Sequence, residues 1–467
     1  MRDVHDAFPI ITRTFREHNR QTEESRIFDK ENRMRIAIQT LGCKVNQYET
    51  QAMEEILTKR GHILVPFEEE ADAYIINSCT VTAVSDKKSR QAVRQARRRR
   101  PGAVVALCGC YPQVAPGEAE KLKVDLIGGS GNREQFLSLL EAAWETRKPI
   151  TAIDDAMGRR VFEVLPAGGL EGRTRALLKV EDGCVNFCAY CIIPYARGPV
   201  RSLPLKRAEE EARRLAVEGY RELVITGIEI SSYGRDLEEK PALTDLVESV
   251  CQAAPELRVR LGSLEPRTVT EEFCARLARL PNLCPHFHLS LQSGCDETLR
   301  RMNRRYDTAR YRESVELLRK WFDDPGLTTD LIVGFPGETE GEFEKTCGFL
   351  RLCGFSAMHV FPYSGRKGTP AASLPGQVPN AVKADRAGRA AALADEMTGN
   401  WLERQVGKTE TVLFEEERDG FWRGHTPRYA EVRAPGENLH NRLCPVTVTA
   451  AGDGVLWGRR TGKGEKP

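Results

Sequence analysis

Apolar positions between residues 34 and 160 come in short runs separated by stretches with helical spacing. Met34, Ile36 and Ile38 alternate with polar residues on a strand ending at Leu41-Gly42-Cys43. A helical stretch follows around 47–60. Ala73-Tyr74-Ile75-Ile76 is an apolar strand running into Asn77-Ser78-Cys79, and a strongly basic helix covers roughly 86–100. Ala103–Leu107 is a third strand, leading into Cys108-Gly109-Cys110, and Val124–Ile127 before Gly128-Gly129 is a fourth. Strands alternating with helices predict a parallel sheet.

Residues 170–400 repeat the pattern with six strand-like segments: Ala176–Glu181, Glu222–Glu229, Leu257–Glu265, His286–Ser293, Thr328–Gly334 and Met358–Tyr363. Their carboxyl ends carry the glycine and polar residues. Six β/α units predict a partial, open barrel with its chemistry on that rim. The opening suits a bulky macromolecular substrate. From 401 to 462 the chain changes to short strands separated by turns: Thr409–Phe414, Phe421–His425, Ala430–Val432, Val446–Ala450 and Val455–Arg459. That predicts a small β-barrel of the oligonucleotide-binding kind. The fold class is therefore α/β, with an amino-terminal parallel α/β domain (34–160), a partial (β/α)6 barrel and a small β-barrel. Residues 1–33 are polar and charged and read as a disordered extension, with Met34 a candidate start.

Composition narrows the chemistry. Hydrophobic residues make up 40% of the 467 and charged residues 29%, an ordinary globular balance. No stretch has the length of a membrane span and no signal-peptide core is evident, so a cytoplasmic protein is expected. There, 14 cysteines point to metal or redox chemistry rather than to disulfides. A net charge of +2 means that any polyanionic partner is held by local patches.

The cysteines fall into two groups. Cys43, Cys79 and Cys110 each follow a strand end, where parallel sheets bind ligands, so three distant thiols converge on one rim. Three thiolates there suit a metal or iron–sulfur site. Cys108 lies two residues from Cys110 and reads as core. Cys184, Cys188 and Cys191 form a C-x3-C-x2-C run, Gly183-Cys184-Val185-Asn186-Phe187-Cys188-Ala189-Tyr190-Cys191. Four thiolates would close a cubane cluster; three leave one iron open to chelate S-adenosylmethionine. An electron passed to that molecule would then release a 5′-deoxyadenosyl radical. A zinc site is the alternative, but zinc wants a fourth protein ligand and none is evident.

At this point the chain resembles the methylthiotransferases of the radical S-adenosylmethionine superfamily. Gln39–Gln47, Asn77–Thr82 and Cys108–Tyr111 match their amino-terminal domain. Asp182–Gly198, His288–Gly294, Arg301–Arg304 and Asp330–Glu338 match their radical domain. Lys44-Val45-Asn46-Gln47 and Asp86–Arg90 resemble the MtaB type, which methylthiolates C2 of N6-threonylcarbamoyladenosine at position 37 of tRNA, beside the anticodon. The resemblance implies two 4Fe-4S clusters. Cys184, Cys188 and Cys191 would hold the radical cluster, and Cys43, Cys79 and Cys110 the auxiliary one that presents sulfur. S-adenosyl-L-methionine would lie against Thr226, Gly227, Glu229, Glu265, Gln292, Asp330 and Gly334. For Glu229 and Asp330 the alternative is helix capping or bracing of the rim. Implied partners are tRNA, a reductant protein such as flavodoxin or ferredoxin, and a sulfur donor, with no membrane; a monomer is expected. Cys295 stands where the family is expected to have serine. The tail resembles a TRAM module, although the loop around 434–445 departs from it; Arg423, His425, Arg428 and Tyr429 are candidates for RNA contact. Arg94, Arg97, Arg98, Arg99 and Arg100 are candidates for phosphate contact. His286 and His288 share one face of a strand and read as barrel filling.

Overall fold

Ala73–Ser78 and Val104–Gly109 are buried at every position. Strands covered on both faces belong inside a parallel sheet, and both lie there. The computed structural model describes residues 33–166, 168 and 173–461; the expected extension, apart from its last residue, lies outside them. The first sheet contains β1 (Arg35–Thr40), β2 (Ile63–Val65), β3 (Ala73–Ser78), β4 (Val104–Gly109), β5 (Leu126–Gly128) and β6 (Ile150–Ala152), in the order β2-β1-β3-β4-β5-β6. Each neighbouring pair is parallel. β2 and β6 have three residues each, too short for an alternation, and the hydrophobic pattern does not predict them. Two separate apolar clusters cover the two faces of this sheet.

The basic helix spans Ala83–Arg99. Its start is fixed by Thr82, whose hydroxyl oxygen accepts from the Ser85 amide at 3.2 Å. Asp86 in its first turn and Arg97, Arg98 and Arg99 in its last suit the helix dipole.

The second domain contains β7 (Arg175–Lys179), β8 (Glu181–Asp182), β9 (Arg201–Ser202), β10 (Glu222–Thr226), β11 (Arg258–Leu261), β12 (Ser263–Leu264), β13 (His286–Leu289), β14 (Gly326–Val333) and β15 (Ala357–Pro362). The parallel runs β11-β10-β7 and β12-β13-β14-β15 meet at Gly262, between β11 and β12, where one strand direction is broken. Among the described residues β7 and β15 do not pair, so the barrel is open. Outward residues such as Leu223, Val259, Phe287 and Leu331 join one large apolar core. The alternate positions, among them Lys179, Glu222, Arg260, His286 and Asp330, are polar and face the lumen.

The helix Asn380–Glu403 buries Ala390, Leu393, Ala394 and Met397 at helical spacing and crosses into the tail. Its Trp401 and Leu402 enter the core of the last barrel. That barrel is closed: β16 (Thr409–Arg418), β17 (Phe421–His425), β18 (Glu431–Ala434), β19 (Arg442–Gly452) and β20 (Val455–Arg460) run in the order β16-β17-β18-β20-β19. No helix among the described residues is long and apolar enough to cross a membrane.

Candidate metal centres and the cleft between them

Cys43 precedes the helix Lys44–Lys59, Cys79 follows β3 directly, and Cys110 opens a short helix after β4. Parallel strands bring these three ends to one rim. Gly42 has φ +118°, and a Cβ there would lie 2.7 Å from that of Cys79, so glycine is what lets the two loops approach. Asn46 ties them together. Its amide nitrogen donates to the carbonyl oxygens of Leu41 (2.7 Å) and Ser78 (3.0 Å), and its own carbonyl accepts from the Asn77 side chain at 3.0 Å. Burial pushes the Cys110 thiol up to about 12. Cys43 is reached by solvent but sits among dense protein, and burial raises its thiol as well. Cys108 is fully buried within one apolar layer beneath the sheet, as a core residue.

The other cysteine group sits in a loop whose base is the antiparallel pair β8–β9. Gly183 enters it at φ +94°, and a Cβ there would overlap the Pro199 carbonyl. The Cys184 amide donates to the Gly198 carbonyl (3.0 Å), that of Cys191 to the Cys188 carbonyl (2.9 Å), and that of Ala189 to the Met302 carbonyl (2.9 Å). Arg304 Nη1 donates to Cys188 Sγ at 3.2 Å, while its buried Nη2 has no partner. Burial lifts the Cys184 and Cys191 thiols to about 12.

The donor sets fit clusters better than single ions. Four sulfurs around one zinc lie about 3.8 Å apart, from Zn–S bonds of about 2.3 Å. Among the described residues the three-ligand set whose atoms all lie within 4.8 Å is Cys295, Glu297 and Glu342, which contains none of the six thiols. Both trios are therefore too wide for one ion and suit a multinuclear core. The short helix that Cys110 opens packs against the helix Ile193–Arg197, which follows Cys191, so the two cysteine regions are neighbours.

A buried charge network stands between them. Glu49 pairs with Arg197, with Arg133 at 2.8 Å and with Lys179 at 3.4 Å. Asp182 pairs with Lys179 at 2.7 Å and Arg201 at 3.3 Å. All six side chains are buried. Burial would raise the Glu49 carboxyl, but Arg133, Arg197 and Lys179 outweigh it and hold the group well below the usual range. Four cations face two carboxylates, which leaves positive charge beside the thiols. That excess suits thiolate-ligated iron. Arg197 also donates to Asn46 Oδ1 at 2.7 Å, linking the two cysteine regions directly. Neither Arg197 nor Glu49 is singled out by the sequence reading; the available signal is Asn46 and Glu49 three residues apart on a helix that also buries Val45, Tyr48, Ala52 and Met53.

The residues expected around S-adenosylmethionine divide. Gln292 and Asp330 line a cleft of about 250 Å³ with Tyr190 and Cys191, opposite Val81 and Thr82. Asp330 Oδ2 lies 3.3 Å from His288 Nε2. Glu229 does two things: it caps the turn Ile230–Ser232 and accepts from Asn186 of the cysteine loop at 3.3 Å. Burial raises its carboxyl. Thr226 is buried at the end of β10, and a Cβ at Gly227 would meet Glu181 Oε2 at 2.8 Å. Glu265 caps the turn Pro266–Thr268 and pairs with Arg267 at 2.9 Å. Gly334, at φ +72°, donates its amide to Glu338 at 2.9 Å and packs against Lys383, outside the residues that line the cleft.

Several other candidates are engaged elsewhere. Tyr429 lies 5.0 Å from His286 with the Arg260 guanidinium 4.7 Å from its ring centre, and Arg428 bonds the Asp323 and Asp324 carbonyls, so both hold the last barrel against the second domain. Glu415 Oε1 accepts from His425 Nδ1 at 3.1 Å, and Arg423 lies 3.6 Å from Asp419. Arg97 and Arg100 pair with Asp125 and Asp72, and Arg99 lies over Phe67, leaving Arg94 and Arg98 exposed. Cys295 donates to Glu297 at 2.9 Å, away from both trios. Arg366 bridges the domains through Thr80 (2.5 Å) and Asp86 (2.7 Å) beside Cys79.

The profile of the radical SAM superfamily matches residues 178–350, and that of the uncharacterized protein family UPF0004 matches 35–129. The chain is 38% identical over 424 residues to the threonylcarbamoyladenosine tRNA methylthiotransferase MtaB of Bacillus subtilis, covering 89% of this chain and 94% of that one. It is 38% identical over 381 residues to the Thermotoga maritima protein of the same name, covering 81% and 86%. It is also 34% identical to a tRNA-2-methylthio-N(6)-dimethylallyladenosine synthase of Pelotomaculum thermopropionicum, covering 88% and 94%. Among solved structures, the radical S-adenosylmethionine methyltransferase TsrM of Kitasatospora setae shares the fold at TM-score 0.52 and 16% identity, covering 72% of this chain and 77% of that one.

Proposed function

The chain belongs to the MtaB type of radical SAM methylthiotransferases, and from that premise we propose that it adds a methylthio group to C2 of N6-threonylcarbamoyladenosine at position 37 of tRNA. The observation that carries this reading is a cleft that Cys191 and Tyr190 of one cysteine loop line together with Val81 and Thr82, which follow Cys79 of the other trio. When bound, a 4Fe-4S cluster on Cys184, Cys188 and Cys191 with S-adenosyl-L-methionine supplies radical chemistry at an unactivated carbon, and a second on Cys43, Cys79 and Cys110 supplies sulfur.

The chain's own residues orient and shield. Arg304 steadies the Cys188 sulfur. Asn46, Arg197 and Glu49 hold the two cysteine regions in register. Gln292 and Asp330 offer polar groups to S-adenosyl-L-methionine in the cleft, and Glu229 does so from the neighbouring strand end, with Thr226, Gly227, Glu265 and Gly334 shaping the rim behind them. The last barrel acts as a TRAM-like module that grips tRNA outside its interface with the second domain. A monomer in the cytoplasm, served by a reductant protein such as flavodoxin or ferredoxin and by a sulfur donor, completes the reading.

The test is anaerobic. The reconstituted chain is given S-adenosyl-L-methionine, reductant and tRNA bearing threonylcarbamoyladenosine, and the digested RNA is weighed by mass spectrometry. The expected product is a nucleoside heavier by one methylthio group, together with 5′-deoxyadenosine. Deoxyadenosine with unchanged tRNA would overturn the substrate while keeping the radical chemistry.

A further inference from the structure

We propose that Arg304 sets the reduction potential of the radical cluster, easing its one-electron reduction through charged hydrogen bonds to sulfur. The inference rests on one part of the function proposed above, a 4Fe-4S cluster on Cys184, Cys188 and Cys191, and not on the identity of the tRNA nucleoside.

The segment that carries Arg304 is bonded to the cysteine loop at three places. The Ala189 amide donates to the Met302 carbonyl at 2.9 Å, the Asn303 side chain donates to the Phe187 carbonyl at 2.9 Å, and Arg304 Nη1 donates to Cys188 Sγ at 3.2 Å. Phe187 stands at φ +46°, where a bulky residue is rarely found, so the Asn303 bond holds a loop shape that the chain would not adopt by itself. The guanidinium is also fixed from its other side. Its Nε donates to the Tyr306 hydroxyl at 3.1 Å, and its carbon lies 4.8 Å from the centre of the Tyr306 ring. That hydroxyl donates in turn to the Leu291 carbonyl at 2.6 Å.

Charge then decides what the guanidinium does. Among the described residues no carboxylate pairs with Arg304, and Cys188 is the one thiol of the six that accepts from a side-chain cation. Arg304 Nη2 is buried with no partner. An unmet donor on a buried cation is costly, so Nη2 is the group left for an anionic sulfur of the cluster. Reduction adds one electron, delivered by the reductant protein, and so one negative charge. A fixed cation bonded to sulfur favours the form that carries more negative charge, and burial strengthens that preference. Arg304 therefore raises the potential. At the auxiliary trio, Cys79 accepts instead from the neutral Val81 amide at 3.5 Å, which makes the second cluster an internal reference.

The experiment uses the anaerobic chain loaded with both clusters. EPR follows a redox titration, and the radical cluster is recognised by the change in its signal when S-adenosyl-L-methionine is added. Arg304→Gln is expected to lower the equilibrium constant for reducing that cluster about tenfold or more, a shift of about 59 mV or more to the negative. The midpoint of the auxiliary cluster should stay where it is, and Arg304→Lys, which keeps the charge, should shift less. In the parent chain carrying arginine labelled with heavy nitrogen, pulsed EPR of the reduced radical cluster is expected to show coupling to an arginine nitrogen. Absence of that coupling would overturn the proposal even where neither variant folds or holds iron. An unmoved midpoint in an iron-replete Arg304→Gln chain would overturn it as well. A shifted midpoint in a chain that modifies no tRNA would support the role of Arg304 and count against the parent function alone.

Discussion

The two cysteine trios are built in opposite ways. Cys184, Cys188 and Cys191 lie within eight consecutive residues, in one loop pinned at its base by β8 and β9. Cys43, Cys79 and Cys110 come from three strand ends and converge because β1, β3 and β4 are parallel neighbours. The first trio is local, and its geometry needs little of the fold. The second exists only once the sheet has formed, and it needs Gly42 for loop approach and Asn46 to stitch two loops together. A distributed site pays loop-closure entropy that a contiguous motif avoids. It is also the site beside which the buried charge network has grown.

Removing one ligand from each trio gives the sharpest contrast. Cys191→Ala is expected to abolish 5′-deoxyadenosine formation and methylthiolation together, a fall of about a thousandfold or more. Cys110→Ala should abolish methylthiolation yet leave cleavage of S-adenosyl-L-methionine measurable, with iron per chain down by about half. Loss of both activities in Cys110→Ala would mean that the trios do not act separately.

Next in size is the network between them. Glu49→Leu leaves Arg133, Arg197 and Lys179 without their shared carboxylate, and breaking such a buried set costs about 3–5 kcal/mol. Urea unfolding of the anaerobic holoprotein measures it, and an unchanged midpoint would show that the charges re-pair.

Two carboxyls then predict opposite pH behaviour. Glu49 is held below its ordinary 4.5, so its contribution is fully present above that value and is lost as pH falls toward its depressed folded value. Glu181 is pushed well above 4.5, first by burial, and one of its oxygens has no partner. It binds its proton more tightly when folded, so it weakens stability as pH rises from its unfolded toward its folded value. Glu181→Gln should remove that decline and stabilise the chain near neutral pH, while keeping an oxygen for the Glu229 amide. A variant whose stability falls with pH as the parent's does would refute this.

The smallest effect is a cap. Thr82→Ala should lower stability by about 1 kcal/mol through the helix start beside Cys79, with both cysteine ligand sets intact. A loss of iron in that variant would show that the auxiliary loop depends on local helix order as well as on the sheet.

The order of strands and helices, both cysteine trios and the strands of the small barrel were legible in the sequence, because each rests on a period or a spacing that near neighbours carry. Cys108 parts from Cys110 because the strand ends at Gly109, at φ +100°, and Cys110 opens a helix; strand alternation alone would put both thiols on one face. The helix Asn380–Glu403 was harder to see, because alanines make up much of its buried stripe. Arg197 and Arg304 gave no local signal beyond membership of a motif, and Glu49 none beyond its spacing from Asn46 on one helix.

Sequence alone thus determined on which elements the two cysteine trios sit. Tertiary structure decided what lies around them: that Arg428 and Tyr429 hold two domains together, that Gly334 lies behind the cleft, and that Glu49 sits among Arg133, Arg197 and Lys179. The reason is physical. A spacing is fixed by covalent geometry along one chain, whereas the partner of a charge and the dielectric around it are set by residues far away in sequence.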